Sequence, residues 1–467
     1  MLYGGFPCPA AIGSNIRVID CIEDPGLLFM FGGYPNDAQT GTKLVADVQL
    51  SVLQKSSIPD RVRYNLLKRK SFATGKKSVG PRLKSFAANL TLVLGSLILA
   101  CGISEALIRL LVPQQLILKR PDVWQPVDGL GWVHRAGIAT TINTGERTVD
   151  LYTDTNGFRI GRAGRVRASR RILLLGDSFA EAFQVEYEQS FSGLLEQWLQ
   201  QQFKEPVAVD NTAVGGWNPN QYLLQAKKSL ERESYGLVIV MLFLGNDIIG
   251  TRKNHYPARS PAAVHPFRFP RSLNRRELIN TIFYPINDFF EVRSHLFIFV
   301  KTKIRVLLMR FGLTAAYFPK YFLKREVNSE RWQVTVQVCR EISDLAKKYG
   351  TPTFVVLIPT AFQVSPNQFD EHLRGFRIDP QTVDIYQPNR LIAASLEAEA
   401  LDFFDTLPAL QEAHGNCLKL YGDIDSHFTP EGHAVVTRVT APLVLQRLKD
   451  MRLLDGVYID GANERCT

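Results

Sequence analysis

Past residue 170 the apolar positions gather into short, strongly apolar runs, at 172–175, 207–209, 237–243, 353–358 and, around Asp402, 401–404. A strand with one face in water alternates apolar and polar residues. Strongly apolar runs of this length therefore predict parallel strands buried on both faces. Between the runs lie stretches of helical period at 190–203, 220–233, 330–349, 389–400 and 430–451. Alternating strand and helix predicts a three-layer α/β/α doubly wound sandwich over 171–450, built on a mainly parallel five-stranded sheet. Residues 250–329 break the alternation. Segments such as Phe297-Ile298-Phe299-Val300-Lys301 mix apolar and basic residues at helical spacing, which predicts a helical insertion. That insertion is either a cap beside the site or an outlying amphipathic layer, and its composition suits a membrane-facing or cleft-covering element.

Upstream the pattern changes twice. No charged residue occurs from Ser85 to Ser104, and the apolar run 90–99 continues to Leu111. That is enough to cross a hydrocarbon core of about 30 Å, so 85–112 is expected to be a transmembrane helix. Lys68, Arg69, Lys70, Lys76, Lys77, Arg82 and Lys84 precede it. The positive-inside bias then puts the N-terminus in the cytoplasm and everything after Pro113 outside it, as a single-pass cell-membrane protein. Ile98-Leu99-Ala100-Cys101 is similar to a lipoprotein processing box, but the apolar pattern runs on past Cys101, which argues against cleavage there. Residues 113–170 read as short strands and turns, with Thr155-Asn156-Gly157-Phe158-Arg159 as a turn signal, and are expected to pack on the main domain as a lead-in. Residues 1–84 carry no sustained period and are basic near their end; 451–467 form a tail.

Composition narrows the function classes. Apolar residues make up 45% and charged residues 21%, ordinary values for a folded chain. The net charge of +10 raises nucleic acid as a partner. The excess is gathered beside the membrane segment and within the insertion, however, so no nucleic-acid partner is expected. The six cysteines (Cys8, Cys21, Cys101, Cys339, Cys417 and Cys466) show no metal-ligand spacing, and no zinc site is expected. Cys339 and Cys417 could pair in an oxidising compartment, but two buried free thiols are the reading preferred here.

The polar residues at the ends of the expected strands carry the chemistry. Gly176-Asp177-Ser178 directly follows the first strand, and a serine on a tight strand-to-helix turn exposes its Oγ. After the second strand comes Gly215-Gly216-Trp217, where Gly216 lacks a Cβ that would keep its N–H from a substrate oxygen. Gly245-Asn246-Asp247 follows the third and offers a side-chain amide. Asp423-Ile424-Asp425-Ser426-His427 precedes the last helix, whose start is set by Thr429 and Pro430, and His427 is the candidate base. Asp177 and Asp247 are read as bonding local backbone, and His433 as a packing residue. Trp217 and Gln363 are either packing residues or the lining of a substrate pocket.

Four such blocks in this order resemble the motif blocks of the SGNH hydrolase superfamily, the GDSL-type lipases and esterases, over residues 170–450. The resemblance implies Ser178 as nucleophile, His427 as base, and the Ser178 N–H, Gly216 and Asn246 as oxyanion hole, with neither metal nor organic cofactor. The superfamily's usual acid position, three before the histidine, is Ile424 here. Asp425 instead resembles the Asp-x-His arrangement of the alginate-acetylating branch and is favoured over Asp423. What the resemblance implies is an esterase acting on extracytoplasmic O-acylated carbohydrate or lipid. An O-acetyltransferase using the same triad, or an inactive scaffold on the same fold, are the alternatives.

Overall fold

The computed structural model describes residues 81–450, except 115, 117–119, 252–268, 270–274, 312–319, 366–368, 370–372, 374–377 and 424–425. The expectations for residues 1–80, for the 451–467 tail and for Asp425 lie outside the described residues.

The chain opens with helix α1 (Pro81–Leu111), of which Ala88–Leu111 is long and apolar enough to cross a membrane and is entirely unburied. Cys101 lies within this continuous helix. A hairpin follows, β1 (Trp124–Val127) with β2 (Gly131–His134). Next come β3 (Ala139–Asn143), β4 (Thr148–Thr153) and β5 (Arg159–Ile160), and then the α/β body. The body runs β6 (Arg170–Leu175), α2 (Ser178–Glu181), α3 (Phe191–Gln200), β7 (Val207–Asn211), α4 (Pro219–Leu230), β8 (Leu237–Phe243) and α5 (Asp247–Gly250). The insertion holds α6 (Arg275–Leu278), a π turn (Ile279–Phe283), α7 (Tyr284–Glu291) and α8 (His295–Arg310). The body resumes with α9 (Arg331–Lys348), β9 (Thr353–Ile358), α10 (Ala361–Val364), α11 (Gln387–Ala398), β10 (Phe403–Asp405), α12 (Leu407–Gly415) and α13 (Pro430–Asp450).

The five strands β10-β9-β8-β6-β7 are parallel neighbours, as expected. The lead-in does more than pack on them: β5, β4 and β3 extend the same sheet antiparallel to eight strands, joined through Arg159 opposite Asn211. Every residue of β7, β8 and β9 is buried, which is why their sequences show no alternation.

The period of two reappears in which layer each side chain enters. Leu173, Leu175, Val238, Val240, Val355 and Leu357 meet Tyr222, Trp332, Ile342 and Ile392 from α4, α9 and α11. Their alternates Ile172, Leu174, Ile239, Met241, Phe354 and Val356 meet Phe191, Leu195, Leu410 and Val444 from α3, α12 and α13. These are the two outer layers of the sandwich.

The described cysteines Cys101, Cys339 and Cys417 are all free. The expectation of two buried thiols holds for Cys339 but not for Cys417, which is exposed at a left-handed turn (φ 64°) just past the end of α12.

Sheet order positions the site. From β6 the chain first goes to β7 on one side and then crosses to β8 on the other. The loops leaving the carboxyl ends of these three strands diverge around one crevice, where open α/β sheets bind their ligands. Those loops carry Ser178, Gly216 and Asn246.

Candidate active site

The turn after β6 is tight for a steric reason. A Cβ on Gly176 would lie 2.5 Å from the Ala180 Cβ and 3.3 Å from the Met241 carbonyl oxygen, so only glycine lets β6 run directly into α2 beside β8. Asp177 caps α2, its Oδ1 accepting the Phe179 N–H at 2.9 Å, and Ser178 is the first helical residue. On the far side, Thr429 Oγ1 accepts the Gly432 N–H at 3.2 Å at the start of α13, and Tyr421 bridges antiparallel to Phe428. The strap between them carries His427, whose ring lies 4.7 Å, centroid to centroid, from Phe179. The two ends of the domain, 249 residues apart, meet here: His427 Nε2 is 2.6 Å from Ser178 Oγ. That is a full hydrogen bond between a candidate nucleophile and a candidate base.

Asn246 sits beside this pair, 6% exposed, and its Nδ2 donates to Asp177 Oδ2 at 3.0 Å. Asp177 thus does two things, capping α2 through one oxygen and holding Asn246 through the other; local backbone bonding, the role expected of it, is only half. Burial pushes the Asp177 carboxyl up to about 6, against the opposing pull of the Phe179 N–H, the His427 imidazole and the Asn246 amide. Asp247 turns inward, accepting the Tyr222 hydroxyl at 2.9 Å and the Phe243 N–H at 2.8 Å, a structural role as expected. From the far end of the insertion, the buried Tyr321 hydroxyl donates to the Gly245 carbonyl.

The loop after β7 is clamped by the lead-in hairpin. Trp132 Nε1 donates to the Gly215 carbonyl at 2.9 Å, Trp217 Nε1 donates to the Trp132 carbonyl at 2.9 Å, and Gln221 Nε2 donates to the Leu130 carbonyl at 2.7 Å. Gly216 takes φ +77°, a left-handed conformation that a side chain resists. The Gly215 N–H is already engaged by Glu181 Oε2 at 2.5 Å. Among the described residues no hydrogen bond engages the N–H of Ser178 or of Gly216.

Glu181 was not foreseen from the sequence. It lies one helical turn after Ser178 and is fully buried; its Oε1 meets His134 Nε2 at 2.5 Å, while His134 Nδ1 faces the Gly157 carbonyl at 3.2 Å. The buried Arg159 guanidinium donates to the Glu181 and Val185 carbonyls, each at 2.5 Å. A signal was available: an acid flanked by Phe179, Ala180, Ala182 and Phe183 has no polar helix face to occupy.

Other expected residues fall differently. Asp423 points outward and pairs with Lys419 at 2.6 Å. Trp217 and Gln363, the candidate pocket residues, are both held inside the body. Trp217 is buried and bonded as above, and Gln363 is fully buried, capping α10 with Thr360 and donating to Asn389 Oδ1 at 2.6 Å. Both side chains pack in the interior. His433 is buried, with no partner for its Nδ1 among the described residues, and burial pushes its imidazole down to about 3, which fits a packing residue and not a base. Among the described residues no cluster of three or more His, Cys, Asp or Glu could hold a metal ion.

No protein-family model matches the sequence, and no curated protein does either. Among solved structures, the chain is similar to a member of the lipolytic protein G-D-S-L family from Veillonella parvula DSM 2008, at 9% identity and a TM-score of 0.33 over 60% of this chain and 100% of that one. It is also similar to TesA, at 13% identity and a TM-score of 0.31 over 60% of this chain and 99% of that one. A catalytic mutant of Axe2, an acetylxylan esterase from Geobacillus stearothermophilus, is similar at 11% identity and a TM-score of 0.31, over 61% and 96% of the two chains.

Proposed function

We propose that this chain is a serine hydrolase of SGNH type that cleaves ester bonds, held to a membrane by α1 with its catalytic body on the extracytoplasmic side. The observation that carries the reading is the 2.6 Å contact between Ser178 Oγ and His427 Nε2 at the crevice where three strand ends diverge. In this reading Nε2 accepts the serine proton as Oγ attacks the ester carbonyl, so the resting imidazole carries its own proton on Nδ1. Asp425 is the carboxylate proposed to accept a hydrogen bond from that Nδ1–H and so to orient the ring; the outward pairing of Asp423 with Lys419 supports it over Asp423. The imidazolium then protonates the departing alcohol, and water repeats the sequence to free the acid.

Charge develops on the carbonyl oxygen, and the proposed donors are the Ser178 and Gly216 N–H groups and the Asn246 amide. With the Gly215 N–H held by Glu181, Gly216 is the donor left on that loop. Asn246 gives one amide hydrogen to Asp177, and the second is the one proposed to reach the oxyanion. On the extracytoplasmic side, O-acylated polysaccharide or lipid is the substrate class within reach. The experiment is fluorophosphonate labelling of the full chain. Stoichiometric labelling that Ser178→Ala abolishes is expected; equal labelling of the two proteins, or none of wild type, defeats the proposal.

A further inference from the structure

The apolar surface of the insertion is organised. Val300, Ile304 and Leu307 in α8, and Phe311 just past its end, are all exposed and spaced four, three and four residues apart, so they continue one stripe along the helix. Lys301 and Lys303 flank the stripe on either side, one paired with Glu291 and the other lying 5.2 Å from the Phe299 ring centroid. The α8 sequence holds four lysine and arginine residues and no acid. In α7, Ile286 and Phe290 are likewise exposed one turn apart, and Phe290 stacks on Phe297 at 5.4 Å, joining the two helices. A soluble surface does not leave aligned apolar stripes in water without an occupant.

The position of α8 identifies that occupant. Glu105, in the last turns of α1, accepts the His295 and Leu296 N–H groups at 3.0 and 2.9 Å and the Ser294 hydroxyl at 2.7 Å. A side chain of the membrane helix thereby caps α8. Arg109 adds a bond to the Arg293 carbonyl at 2.6 Å, and the Gln114 N–H donates to His295 Nδ1 at 2.7 Å. Helix α8 therefore starts beside the last turns of α1, near the level where that helix would leave the bilayer.

We infer that α7 and α8 form a second, interfacial membrane anchor, seated in the headgroup region beside α1. The α8 stripe enters the acyl boundary, and Lys303 beside it reaches back to anionic lipid phosphates. This rests on the reading of α1 as a membrane-crossing helix.

The full chain is reconstituted into vesicles of phosphatidylcholine and phosphatidylglycerol, with its exposed cysteines replaced by serine. A polarity-sensitive fluorophore is placed in turn through Ile304→Cys, Leu307→Cys, Leu94→Cys in α1, and Gln337→Cys on the exposed face of α9. The expected result is that labels at 304 and 307 resist aqueous iodide several-fold better than the one at 337. They are quenched by lipid nitroxides near the headgroup, and the label at 94 by nitroxides deep in the chains. Labels at 304 and 307 as open to iodide as that at 337, with 94 still lipid-quenched, overturn the inference alone. All four open overturn the membrane reading as well. Protection at 304 and 307 that persists in detergent, accompanied by cross-linking between copies, identifies a second copy as the occupant and also refutes the inference.

Discussion

Around Ser178 the protein takes charged and polar groups out of water and gives them partners; along α1, α7 and α8 it leaves apolar side chains outside. Asp177, Glu181, Asp247, Arg159 and His134 are all buried within a few residues of the candidate nucleophile or its supports. Leu94, Ile98, Ile304, Leu307 and Phe311 are exposed. A chain that folds by removing apolar surface from water inverts the rule only where another force compensates. At the crevice, hydrogen bonds between buried groups compensate, which fixes geometry at a cost in stability. On the proposed reading the surroundings of the other layer themselves differ, since an apolar surface that faces lipid costs nothing.

The comparison can be broken first at its buried side. Ser178→Ala should lower hydrolysis of a p-nitrophenyl acyl ester by about 10⁴-fold or more, with folding unchanged by circular dichroism. Glu181→Ala leaves the buried His134 ring and the Gly215 N–H without their carboxylate. A loss of about 3–5 kcal/mol in urea unfolding is expected, and a loss under 1 kcal/mol would show that the pair is dispensable. Asn246→Ala should cost about 10²- to 10³-fold in kcat with little change in KM, as removal of an oxyanion donor does. Asp177→Asn, which sets an amide against the Asn246 amide, should reproduce part of that loss.

A pH experiment probes a buried group away from the catalytic contacts. His433 stays neutral in the folded protein down to about pH 3, whereas in the unfolded chain it gains a proton below about 6.5. The unfolded state therefore binds the extra proton, and stability should fall as pH drops through that window. Asp177, held near 6, works in the opposite sense over about pH 4 to 6. The difference between wild type and His433→Gln isolates the histidine: the variant's urea midpoint should fall less between pH 6.5 and 4. The smallest effect belongs to the exposed layer, where Ile304→Ser should change the detergent-solubilised protein's stability by less than about 0.5 kcal/mol. A large loss there would mean that the stripe packs against protein.

How much of this was legible in the sequence follows from how local each cause is. The five parallel strands could be read because burial on both faces is written into consecutive residues such as 237–243. Strands β3 to β5 were readable as strands and turns, but not as part of the same sheet, because the join is a long-range pairing of Arg159 with Asn211. Helix α12 was missed, starting within two residues of the short β10 with no loop to announce it. At the candidate site, Ser178, Gly216, Asn246 and His427 could be proposed because each sits at a strand or helix end with a recognisable turn chemistry. The Glu181–His134 pair could not: its members are 47 residues apart, and neither stands in a motif.

The three bonds that Glu105 makes to the start of α8 have a mechanical consequence. A membrane helix joined to its cargo by a loose linker lets the cargo roam like a float on a line, whereas here the joint is splinted. On the proposed reading, the crevice then rides at one height and one tilt above the lipid surface. The molecule searches by drifting in two dimensions, and only ester groups presented at that height would come within its reach.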